Sequence, residues 1–139
     1  MEIGNVELMC IIVGSVGTLF TGLYNILKYK QKIIDQKNDY ENKMKNAISN
    51  CNGFIQLSHR AENTKQAKLI ANGSMGGGFN RWKSNKEKDI ERIKKINIEL
   101  DRLIISKYYY NKNKHTINTL NNLCEEIKTI KLPYENIIK

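Results

Sequence analysis

Between Leu8 and Leu27 the chain reads LMCIIVGSVGTLFTGLYNIL, 20 residues without a charged side chain. As a helix rising about 1.5 Å per residue, this run covers roughly 30 Å, the depth of a bilayer's hydrocarbon core. A soluble amphipathic helix needs a polar face, and none is visible from Leu8 to Leu23. A buried central helix would need a large apolar shell. The heavily charged remainder of a 139-residue chain offers little apolar surface for one. The run is therefore expected to cross a membrane as a single span.

The flanks set the expected orientation. Lys28, Lys30, Lys32 and Lys37 follow the run, whereas Glu2 and Glu7 precede it. A cleaved signal would carry a basic leading segment and a shorter apolar core of roughly 7–15 residues, so an uncleaved anchor fits better. The positive-inside rule then places the N-terminus outside and everything from Lys28 onward in the cytoplasm of a cell membrane. Tyr24 and Tyr29 fall where interfacial aromatics sit, and the lysines can snorkel to headgroups.

Inside the run, Gly14, Thr18 and Gly22 recur every fourth residue, as do Gly17 and Thr21, with Ser15 beside them. That spacing stacks small side chains on one side of a helix, where a second backbone can approach. Gly14, Thr18 and Gly22 are the expected contact face with another copy or another membrane protein.

Charge changes abruptly at Lys28. Residues 28–139 hold all 23 Lys and Arg against 12 of the 14 acids, an excess of +11. Such charge suits anionic lipid or nucleic acid. However, 19 Lys, 20 Ile and 18 Asn are what an AT-rich genome supplies by codon usage alone, and the acids are interspersed. A bland solvated helical surface explains the charge equally well.

The remainder reads as helix. Ile33, Tyr40, Met44, Ala47, Ile48, Cys51, Phe54 and Ile55 step by threes and fours, and Gly73 is placed to supply a left-handed cap. Asn52-Gly53 is the one plausible break. Gly73, Gly76, Gly77 and Gly78 then mark a turn or hinge. Ser84 followed by Glu87 has the form of a capping box opening a second helix to Tyr110. Its stripe is Ile90, Ile93, Ile96, Leu100, Leu103 and Ile104. A third helix from Thr116 carries Ile117, Leu120, Cys124, Ile127 and Ile130 and stops before Pro133.

The expected fold is all-α: one N-terminal transmembrane helix followed by a cytoplasmic helical hairpin or three-helix, coiled-coil-like bundle. In order, the chain divides into a short extracytoplasmic N-terminus (1–7), the span (8–27) and a long amphipathic helix (28–71). A glycine-rich hinge (72–83), two amphipathic helices packing back (84–132) and a tail (133–139) complete it. The hairpin form runs out along one helix and returns as two shorter ones laid end to end. The bundle form follows if the first helix breaks near Gly53.

Chemistry is sparse. Gly73 and Gly78 have the spacing of a phosphate loop, but Phe79 stands where its lysine belongs and no strand precedes it. His59 and His115 are the only histidines, and Glu62 is the sole carboxylate three or four residues beyond either. Cys10, Cys51 and Cys124 are isolated packing residues at neither disulfide nor zinc spacing. Neither enzymatic activity nor a cofactor or metal is expected.

Arg81, Trp82, Lys83, Lys94 and Lys95 are candidate contacts to lipid or nucleic acid, with Phe79 beside them. The favoured expectation for Phe79 and Trp82 is that they plug the end of the helical hairpin. Tyr108-Tyr109-Tyr110 adds an aromatic cluster beside Lys112 and Lys114. The function expected is a small membrane-anchored interaction protein whose basic helical domain oligomerises or recruits a partner. Two alternatives stand beside it: a holin-like or phage-defence effector that permeabilises the bilayer, and a membrane-associated nucleic-acid binder.

Overall fold

The structure is a computed structural model that describes residues 4–73, 77–105 and 114–139. Among them, 96% are helical and no strand occurs. Three helices follow in order: α1 (Asn5–Ala71), α2 (Gly78–Ile105) and α3 (Lys114–Ile138). The aromatic triplet at 108–110 lies outside the described residues. The chain divides into two units, Met1–Asp39 and Tyr40–Lys139.

In the first unit α1 stands alone, and the large apolar side chains between Leu8 and Leu27 are exposed, from Val16 at 44% to Val13 at 72%. Among the described residues this is the one helix long and apolar enough to cross a membrane, and none of its most apolar stretch is buried.

The second unit is a three-helix bundle with one continuous core. On α1 the buried row is Tyr40, Met44, Ala47, Cys51, Phe54, Ser58 and Ala61, alternating steps of four and three without a slip. On α3 it is Leu120, Leu123, Ile127, Ile130 and Tyr134. This is coiled-coil spacing, which keeps one seam facing the partners along the whole length. Glu62 of α1 meets Lys83 and Lys86 of α2, so those helices are antiparallel. Asn50 meets Lys131 and Lys68 meets the Ile137 carbonyl, so α1 and α3 run parallel.

Two open readings are decided and two expectations corrected. α1 passes through Gly53 unbroken, as one long helix over 28–71, and the bundle forms without a break there. The returning helices lie side by side rather than end to end. Each thereby buries two flanks instead of one, and α3 ends at the same end of the bundle as α1.

α2 begins at Gly78, so residues 78–83 are helix rather than hinge and Ser84 is interior rather than a cap. Phe79 stacks on Trp82 at 6.0 Å and Trp82 packs on Tyr134 at 5.9 Å. These contacts offset the roughly 1 kcal/mol helix penalty of one glycine. α3 likewise continues past Pro133 to Ile138, because Tyr134 is clamped edge-on by Phe54 at 5.0 Å and drawn into the core. Gly73 does adopt the left-handed conformation, with φ of 66°, closing α1 as a cap should.

Candidate functional surfaces

α2 carries the least expected feature. Stepping back from Leu103 by threes and fours gives Leu100, Ile96, Ile93, Asp89, Lys86, Trp82 and Phe79. Two charged residues thus occupy seam positions. Lys86 is only 7% exposed. Its ammonium donates to Glu62, which also pairs with Lys83 at 3.2 Å. Asp89 accepts a 2.7 Å hydrogen bond from the Tyr134 hydroxyl and lies 3.8 Å from Arg92, which reaches on to Glu126 at 3.0 Å. One polar layer therefore ties α2 to α1 through Glu62 and to α3 through Tyr134.

The electrostatics follow from that geometry. The hydrogen bond from Lys86 holds the Glu62 carboxyl below its ordinary range, against the opposing effect of burial, with Lys83 adding to the lowering. Burial, and then the hydrogen bond and charge of Asp89, hold the Tyr134 phenol well above its ordinary value. Burial pushes the Cys51 thiol up to about 11, with Cys124 adding to the rise. Burial raises Cys124 as well, against the pull of Lys43. Both are poor nucleophiles held as packing groups. Cys10 is exposed among the described residues, so the expectation that all three cysteines are packing residues holds within the bundle only for Cys51 and Cys124.

The five candidate contacts are not brought into one site. Trp82 is half-buried under Phe79 and Tyr134, with the Lys65 ammonium 5.3 Å from its ring. Lys83 is engaged with Glu62 and lies 5.7 Å from the Phe79 ring. Lys94 borders a small groove shared with Cys51, Ile55, Ile90 and Asn97. Arg81 and Lys95 are exposed and two heptads apart, which puts them on a common face about 21 Å from one another.

On the first unit, Gly14, Thr18 and Gly22 line up as their spacing dictates, all exposed. A methyl group added at Gly14 or Gly22 would meet nothing within 4 Å. The hydroxyls of Ser15, Thr18 and Thr21 donate to the carbonyls of Ile12, Ser15 and Gly17 at 2.8–2.9 Å. His59 is exposed on α1 and His115 lies in the first turn of α3. Among the described residues no group of three or more His, Cys, Asp or Glu is placed to hold a metal.

No protein-family model, curated protein or solved structure matches the chain.

Proposed function

We propose that this is a single-pass membrane protein whose cytoplasmic three-helix bundle serves oligomerisation or recruitment of a partner. One observation carries the reading: the uncharged stretch of α1 has no cover of its own, while Tyr40–Lys139 closes a core without it. The twelve large apolar side chains exposed between Leu8 and Leu27 would in water each forgo on the order of 1.5–3 kcal/mol of burial. A bilayer supplies that environment, and no rearrangement of the bundle is required. The face of Gly14, Thr18 and Gly22 is the proposed contact surface within the membrane. The Thr18 hydroxyl on it already donates to the Ser15 carbonyl within the helix, so close backbone approach rather than a donated side-chain hydrogen bond drives the contact.

Crosslinking of the intact chain in native membranes, followed by identification of the products, tests the reading. A discrete homo-oligomer or hetero-complex is expected, weakened when Gly14, Thr18 and Gly22 are replaced together by leucine. A chain that stays monomeric and uncrosslinked at native abundance contradicts it.

A further inference from the structure

We propose that Lys28, Lys30, Lys32 and Lys37 form a collar that selects anionic lipid headgroups around the emerging helix, an inference that rests on the membrane-anchored reading above. All four are exposed on α1, and none is held in an ion pair or side-chain hydrogen bond among the described residues. In the bundle, by contrast, Lys83, Lys86, Arg92 and Lys131 each pair with a carboxylate. Against the four lysines of the collar the same stretch sets only Asp35, which accepts from Gln31 at 2.8 Å, and Asp39, so residues 28–39 keep a net charge of +2.

The arrangement in space identifies the partner. At about 100° per residue, Lys28 and Lys32 share one side of the helix, whereas Lys30 and Lys37 lie roughly opposite. A single basic stripe would suit a nucleic-acid groove or an acidic helix, each of which meets one side only. Cations on opposite sides at one level suit a partner that surrounds the helix. With the run ending at Leu27, Lys28, Lys30 and Lys32 fall within about 8 Å of it, the depth of a headgroup layer. Lys37 lies about 15 Å beyond and reaches back along its flexible stem. Lysines so placed each favour anionic over zwitterionic lipid by about fivefold.

The intact chain is reconstituted into vesicles of phosphatidylcholine with phosphatidylglycerol, and spin-labelled forms of the two lipids compete for the protein's motion-restricted shell. Retention of the chain in the bilayer after alkaline washing is scored separately, so failure of the anchor is distinguishable from failure of the collar. Expected is a preference for phosphatidylglycerol of at least tenfold, reduced by high salt and largely lost in the combined Lys28→Gln, Lys30→Gln, Lys32→Gln chain, which still inserts. An inserted chain with no preference overturns the collar. So does an undiminished preference in the triple variant, or a variant changed only in orientation. Loss of the lipid preference to an added single-stranded oligonucleotide at equal charge would assign the lysines to nucleic acid and overturn it as well.

Discussion

The Tyr134 hydroxyl donates to Asp89 across 2.7 Å, joining α3 to a charged residue set in the apolar seam of α2. With Lys86 and Glu62 one turn away, it makes a polar layer that draws groups from all three helices. Apolar heptads alone tolerate slippage by one repeat, whereas a buried polar pair satisfied in one register penalises every other. Lys86 and Asp89 fix which stretch of α1 and of α3 lies against α2.

Tyr134→Phe keeps the ring contacts with Phe54 and Trp82 and removes only this bond. A loss of about 1.5–3 kcal/mol is expected in chemical denaturation of the detergent-solubilised chain, the range for a hydrogen bond to a charged acceptor. The phenol's raised pKa adds a pH signature. Its stabilising effect is complete below the unfolded phenol's value near 10 and is lost as pH rises toward the folded value. The parent should therefore lose stability above about pH 10 more steeply than Tyr134→Phe.

Glu62→Gln leaves the Lys86 ammonium buried without a counter-charge and should cost about 3 kcal/mol or more. Lys86→Met removes the buried charge itself and should cost far less, since Glu62 keeps Lys83. Because the folded Glu62 carboxyl is depressed, its contribution is present above the unfolded value and is lost as pH falls through the folded one. Acid titration of stability below about pH 4.5 should be flatter in Glu62→Gln than in the parent.

Pro133→Ala and Gly53→Ala should both stabilise. Each residue sits inside a helix that ordinary propensity would have ended or weakened, and a methyl at Gly53 meets nothing within 4 Å. Gains of about 1–3 kcal/mol for the proline and 0.5–1 kcal/mol for the glycine are expected in thermal melts. A loss at Pro133 would mean that the ring itself packs in the bundle.

Leu100→Ala, at a fully buried seam position, should cost about 2–5 kcal/mol. Ile98→Ala, two residues away and 54% exposed, should fall within about 0.5 kcal/mol. Equal losses at the two positions would mean that the outer face of α2 is covered in the assembled protein.

Helical class and most of the core were legible in the spacing of apolar residues, because Tyr40 through Phe54 and Leu120 through Ile130 repeat with little interruption. What escaped was decided by tertiary partners. Lys86 and Asp89 interrupt the apolar stripe, so counting hydrophobic residues started α2's seam too late. Only extrapolating the 3–4 step through them recovers Trp82 and Phe79. Ser84-x-x-Glu87 has the composition of a cap, but aromatic packing upstream carries the helix past it, and Tyr134 does the same for Pro133. The apolar spacing includes Ile55 and Ile104, yet they stand 43% and 38% exposed. They lie on the flank of their helices, where spacing alone does not separate seam from edge. Of the candidate contacts, spacing placed Gly14, Thr18 and Gly22 on one face, and the packing of Phe79 and Trp82 at the bundle end was foreseeable from their place beside the glycines, but nothing in the spacing revealed that Lys83 is engaged with Glu62.

Alkaline carbonate extraction of the intact chain from cell membranes tests the central claim most directly. Peripheral proteins held by charge or by bundle contacts are stripped, while a spanning helix stays. The account predicts that the chain remains in the membrane pellet, and that Val13→Arg together with Leu19→Arg releases it. Release of the unmodified chain into the supernatant would contradict it.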